Sequence, residues 1–191
     1  MSASIVITAQ NSRQYFRLDR LAEGAPIEAF ECRIDEYADY LRKDALRSQF
    51  DHVALTWLLR GESTGMIAAY MSLIADAVKL STAEKELHKL DYPFKTIPAL
   101  KIGKLAAAES SRQKYRGIGN LMLYLAGRFA RTFINPYCAA RFLTVDADIE
   151  HDKGVLALYQ KNGFVPNAEL VTFSSFYWEF GFIIAHDMYK H

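Results

Sequence analysis

The sequence predicts an α/β protein, a mixed sheet with helices on its faces, and three observations carry that expectation. Apolar residues recur at helical spacing in two stretches, Ile34 to Leu46 and Ile118 to Phe133. Two short apolar runs, His52–Leu59 and Met66–Ile74, flank a glycine-bearing turn in the manner of a hairpin. A strand-like run, Leu100–Ala108, leads through two closely spaced glycines into the second of the helical stretches.

In order along the chain, the first helix places Ile34, Tyr37, Ala38, Leu41, Ala45 and Leu46 on one face. Arg42, Lys43, Asp44 and Arg47 lie on the other, as a solvated face. The hairpin follows, its loop being Arg60–Gly65. Ser81 and Glu84 have capping-box spacing for a short helix, Ser81–Leu90. Leu100–Ala108 alternates apolar and basic residues, then becomes small and apolar, as a strand entering a buried centre does. The helix after the glycines carries Ile118, Leu121, Met122, Leu125, Phe129 and Phe133, runs to about Ile134 and stops at Pro136. Ala140–Val145 reads as a buried strand ending in Asp146, and Val155–Lys161 as a helix closed by Asn162-Gly163. Strands beginning at Phe164-Val165 and spanning Phe182–Tyr189 complete the order.

The chain has 191 residues, 51% hydrophobic and 24% charged, with a net charge of +1. That fits a single domain spanning residues 1–191 and gives no global attraction to nucleic acid or anionic membrane. Cys32 and Cys138 are far apart and suggest neither a disulfide framework nor a zinc site. The N-terminal residues lack the charged region of a signal peptide, and no apolar segment reaches membrane-spanning length. The expected compartment is a reducing cytoplasm.

The chemistry concentrates at Lys114-Tyr115-Arg116-Gly117-Ile118-Gly119-Asn120. Between a strand and a helix N-terminus, glycines permit a tight turn and the first helix amides can bind an anion. Lys114 and Arg116 would add positive charge. These residues alone fit either a phosphate seat or a flexible loop with a solvated cation pair. A Walker A loop is excluded because no Lys-Ser/Thr follows Gly119. The three-glycine dinucleotide fingerprint is incomplete.

The signature Lys114-x-x-Gly117-x-Gly119 resembles that of the GCN5-related N-acetyltransferases, with Lys114 where the family has Gln or Arg. Ile97–Ala107 is similar to the family's fourth strand, Phe142–Ala147 to its fifth, and Ala157–Phe164 to the block that closes its core. Phe30–Gln49 resembles a helix of a bacterial subgroup that includes toxin acetyltransferases. The resemblance implies a mostly antiparallel sheet whose fourth and fifth strands splay, and acetyl-coenzyme A as co-substrate, with no metal. It implies coenzyme contacts at Leu105, Ala106 and Ala107, at Lys114, Tyr115, Arg116, Gly117, Ile118, Gly119 and Asn120, and at Asn162. Tyr159 takes the place of the general acid that protonates the leaving thiolate. Glu109 and a water chain remain alternatives for the base.

The reaction implied is transfer of an acetyl group to an amine by direct attack in a ternary complex, the acceptor being a small-molecule or peptide amine. One rival is a toxin of a toxin–antitoxin pair acetylating aminoacyl-tRNA. The small net charge argues against tRNA as partner, because RNA affinity leans on phosphate neutralisation. Another rival is a non-catalytic coenzyme-A-binding module. His52, His88, His151, His186 and His191 are scattered and read as surface or satisfied histidines. The aromatic stretch Phe173, Phe176, Tyr177, Trp178 and Phe180 reads as core, pocket wall or homodimer contact.

Overall fold

Alternation between buried and exposed side chains sets the sheet, and three- to four-residue periodicity sets the helices that cover it. The computed structural model describes residues 3–9, 12–131, 139–166 and 175–179. These residues fall into two compact units, 1–74 with 103–123 and 75–102 with 124–191.

In the first unit, β1 (Ala3–Ala9) and β2 (Ser12–Arg20) form an antiparallel hairpin with Ala3 opposite Leu18. This hairpin is not among the elements expected from sequence. Among the residues of β2 whose side chains are described, Tyr15 to Arg20, Phe16 and Leu18 are buried between exposed Tyr15 and Arg17, a period-2 signal too short to stand out. β2 pairs with β3 (Leu55–Gly61), and β3 with β4 (Ile67–Lys79), both antiparallel, with a bulge at Leu59/Arg60. From Ile67 to Leu73 every residue of β4 is buried, so both its faces are covered there.

The expected first helix is divided into α1 (Asp35–Asp39), a π-turn (Tyr40–Asp44) and α2 (Ala45–Phe50). Its apolar face presents Ala38, Leu41 and Ala45 to Leu58, Ile67 and Tyr70 of the sheet. The Tyr40 hydroxyl lies 2.8 Å from Ser72 Oγ, which lies 3.0 Å from Thr56 Oγ1. Three hydroxyls thus satisfy one another in a region where Thr56 and Ser72 are fully buried.

In the second unit, the capping box of α3 (Thr82–Leu87) forms as its sequence requires. Ser81 Oγ accepts from the Glu84 N–H, and the Glu84 carboxylate accepts from the Ser81 N–H at 2.8 Å. β5 (Thr96–Ala107) pairs in parallel with β6 (Phe142–Asp146) from Ala99–Phe142 to Ile102–Val145. β5 continues five residues beyond Ile102, whereas β6 has one residue left. β8 (Ser175–Glu179) lies antiparallel to β6, and β7 (Val165–Pro166) antiparallel to β8. Strand order is β1-β2-β3-β4 in the first unit and β5-β6-β8-β7 in the second.

The chain leaves the first unit within β4, returns within β5 and leaves again within α5 (Ile118–Phe129). The architecture is the mixed, mostly antiparallel sheet flanked by helices that the sequence predicts. One further helix was not expected: α4 (Glu109–Lys114) occupies what reads in sequence as an extended loop before the glycines. α6 (Val155–Lys161) ends where expected, with Gly163 at φ 84°. The expected helix end at Ile134–Pro136 and strand at Phe182–Tyr189 lie outside the described residues, as do Cys138, Phe173, Phe180, His186 and His191.

Candidate functional site

In the first unit, the end of β5 behaves unlike its beginning. Ile97, Ala99, Leu100 and Ile102 are buried, but all of Gly103 to Ala107 are half-buried, including Leu105, Ala106 and Ala107. A strand segment whose two faces are both partly open has backbone that a ligand can approach. The strand is anchored just beyond, where the Ala108 N–H donates to the Ala68 carbonyl and the Glu109 N–H to the Glu31 carbonyl. Lys104 Nζ lies 2.7 Å from Glu36 Oε1 and 4.5 Å from the centroid of the Tyr37 ring, which ties β5 to α1.

Lys114 closes α4, and its ammonium sits 5.2 Å above the Tyr115 ring. Tyr115 itself is buried edge-on against Phe16, so its side chain is a packing element and only its backbone faces the turn. Arg116 is exposed. Gly117 has φ 87°, and its carbonyl accepts from the Leu121 N–H, opening α5. Ile118 points its side chain into the core while Gly119 and Asn120 are half-buried. The first amides of this twelve-residue helix have no intrahelical acceptor, and its first turn holds no acidic residue. Such a terminus can receive an anion.

In the second unit, α6 carries Tyr159, 5% exposed, its ring 5.5 Å from that of Phe164. Burial first, then the charges of Asp148 and Asp146, push its phenol above the ordinary tyrosine value. The hydroxyl therefore keeps its proton at neutral pH and is chemically a donor. Asn162 is half-buried at the end of α6, where its side-chain amide donates to the Leu158 carbonyl at 2.7 Å. That bond gives Asn162 a helix-capping role independent of any ligand.

Glu109 begins α4 instead of ending the strand, and it meets Arg112 at 3.7 Å and Gln113 at 3.3 Å, as an exposed acid does. The structure adds polar pairings that the sequence does not show. Asp146 pairs with Lys101, Asp148 with His151, and Thr144 donates to Asp76 at 2.7 Å. An aspartate three residues before a histidine is a turn signal that could have found Asp148 and His151. Among the described residues, no three His, Cys, Asp or Glu side chains are placed to hold a metal ion, and no helix is long and apolar enough to cross a membrane.

No protein-family model and no curated protein matches the sequence. Solved structures do. A structure of AtaT complexed with acetyl-methionyl-tRNAfMet superposes with a TM-score of 0.73 at 16% identity, covering 86% of this chain and 94% of that one. AtaTR bound with acetyl-coenzyme A gives 0.69 at 16% identity, covering 86% and 94%. A structure described as a bacterial toxin gives 0.69 at 14% identity, covering 100% and 97%.

The first of these corrects the expectation that disfavoured tRNA, since a protein of the same fold is seen with an acetylated aminoacyl-tRNA. The error was to read partner choice from a net charge of +1. That figure averages 23 basic against 22 acidic residues and carries no information on where they lie. Over nearly its whole length, therefore, the chain has the fold of the GCN5-related N-acetyltransferases, in the form shared with bacterial toxin acetyltransferases.

Proposed function

We propose that the chain is an acetyl-coenzyme A-dependent N-acetyltransferase whose acceptor is the amino group of an aminoacyl-tRNA, the activity of a toxin in a toxin–antitoxin pair. The observation that carries this reading is the likeness, over 86% of the chain, to the AtaT structure complexed with acetyl-methionyl-tRNAfMet. The glycine turn opening α5 supports the coenzyme half of the reading. Amides of Ile118, Gly119 and Asn120 take the pyrophosphate, Lys114 and Arg116 supply cations, and Gly117 makes the turn.

In this reading the pantetheine arm lies along backbone near Leu105–Ala107, where a peptide N–H receives the thioester oxygen as it becomes an oxyanion. The acceptor nitrogen forms the new C–N bond, the C–S bond breaks, and Tyr159 gives its proton to the leaving thiolate. A phenol kept neutral by burial suits that donation.

The test is incubation of the purified protein with isotopically labelled acetyl-coenzyme A and a panel of charged tRNA, uncharged tRNA, peptides and small amines. Mass spectrometry should find the label on the amino group of charged tRNA and none on uncharged tRNA. Label on other amines but never on charged tRNA would refute the acceptor. Absence of acetyl-coenzyme A binding by calorimetry at millimolar ligand would refute the whole reading.

A further inference from the structure

Lys104 is the charged residue of the half-open stretch Gly103–Ala107, and its ammonium is turned toward α1. Nζ lies 2.7 Å from Glu36 Oε1 and 4.5 Å from the centroid of the Tyr37 ring. A lysine on an open strand ordinarily extends its stem and leaves its head in water. Here the Lys104 side chain is 27% exposed, against 62% for Glu36, so the lysine is the more covered partner. A carboxylate beside an aromatic face is a combination that binds an alkylammonium. The carboxylate accepts a charge-assisted hydrogen bond, and the ring quadrupole attracts the cation.

These two groups are fixed to the sheet from beneath. The hydroxyl of fully buried Tyr70 donates to the Tyr37 carbonyl at 2.7 Å, so β4 holds α1 at the residue that offers the ring. Ala38, next along, is buried in one cluster with Tyr70 and Leu58, and Ala106 of β5 packs against that cluster. Side chains at 104 and 106 share a face of the strand, which sets Lys104 on the α1 side of β5. Two residues of strand span about 7 Å, so Lys104 stands within a side chain's length of the backbone proposed to hold the thioester. All of these groups belong to the first unit.

We infer that Glu36 and Tyr37 form a seat for the acceptor's ammonium, and that Lys104 fills it until an acceptor displaces it; the inference rests on the acetyl transfer proposed above. The lysine head is a primary ammonium, the group that a protonated amine acceptor presents. On the strand that takes the thioester, it stands in for the substrate. Apparent acceptor affinity is then reduced to the fraction of time that the seat stands open. The two partners of one ion pair therefore act in opposite directions: Glu36 recruits the acceptor, and Lys104 excludes it. A pair that only ties β5 to α1 is symmetrical, because breaking it from either side removes the same contact.

The experiment measures KM and kcat for whichever amine of the panel the wild-type protein acetylates, with thermal midpoints of each variant as a folding control. Lys104→Met keeps the apolar stem and opens the seat, so the acceptor KM is expected to fall about three- to tenfold. Glu36→Gln is expected to raise it about tenfold. Tyr37→Leu, which keeps the backbone carbonyl that Tyr70 holds, is expected to raise it about threefold. The changes fall in the KM for the acceptor and not in that for acetyl-coenzyme A. If Lys104→Met and Glu36→Gln move the acceptor KM in the same direction, or neither moves it, the inference is overturned. A shared rise in the KM for acetyl-coenzyme A overturns it too, since the pair then only ties strand to helix. A second measurement does not depend on transfer: butylammonium chloride is titrated into Lys104→Met and followed by NMR. Saturable shifts at the Glu36 and Tyr37 amides, lost when Glu36→Gln is added, support the seat, and their absence overturns it. Transfer by the wild type to amines other than charged tRNA removes the proposed acceptor alone, and the seat is measured on that amine. If the wild type acetylates no amine, the proposed function and the acceptor role fall, while the titration still decides whether Glu36 and Tyr37 hold an ammonium.

Discussion

Gly117 is the residue whose replacement separates backbone strain from ligand contact. Its φ of 87° lies in the left-handed region, and among the described residues a Cβ built there would meet only Asn120 Nδ2, at 3.8 Å. Gly117→Ala therefore adds no clash, and its cost is conformational. Holding a residue with a Cβ in that region costs about 1–2 kcal/mol. The narrower unfolded ensemble of alanine returns about 0.4–1 kcal/mol. The net loss is about 1 kcal/mol, which for a chain of this size lowers the thermal midpoint by about 2–4 °C. Gly119 provides the contrast, because it is the second residue of α5 and has no positive φ. Alanine there should leave the midpoint unchanged or raise it slightly, helix propensity favouring alanine by at most about 1 kcal/mol, the value for a helix interior. Differential scanning calorimetry of both variants reads the first effect, and titration with acetyl-coenzyme A reads the second. Under the proposed function, Gly119→Ala binds the coenzyme more weakly despite its intact stability, since a methyl group stands against the pyrophosphate. A Gly117→Ala midpoint at or above wild type would refute the strain argument. Unaltered coenzyme affinity in both variants would remove the seat from this turn.

Three other outcomes are expected. Tyr159→Phe should lower kcat by about 100-fold or more while leaving coenzyme affinity within a few-fold, as stopped turnover with retained calorimetric binding would show; unchanged turnover removes Tyr159 from the chemistry. Ser72→Ala strands the Thr56 and Tyr40 hydroxyls and should cost about 1–3 kcal/mol by denaturant titration, whereas pairing it with Thr56→Val should recover part of that loss. Burial raises the phenols of both Tyr70 and Tyr159 above the ordinary value of about 10. Their neutral forms are favoured in the fold, so this stability is full below that value and is lost as pH rises beyond it. Stability should then fall by up to about 1.4 kcal/mol per pH unit for each tyrosine; a flat profile between pH 10 and 11 would contradict the burial of these rings.

What the sequence determines by itself is whatever local physics decides. The capping box at Ser81 and Glu84, the left-handed cap at Gly163 and the helical faces of Ile34–Leu46 and Ile118–Phe129 depend on residues within a turn or two of each other. The glycine turn before α5 was legible for the same reason, and the order of the blocks around it carried the fold. The β1–β2 hairpin was not legible, because Phe16 and Leu18 are recognisable as an inner face only once β3 lies beside them. α4 was read as loop because Glu109–Lys114 is a polar stretch with no apolar face to mark it. Tertiary structure alone buried Tyr115 against Phe16, brought Tyr40 to Ser72 and Thr56, and buried Tyr159 with the charges of Asp148 and Asp146 acting on it. Those arrangements depend on which side chains long-range packing brings together, and a pattern read along one chain contains no such pairing.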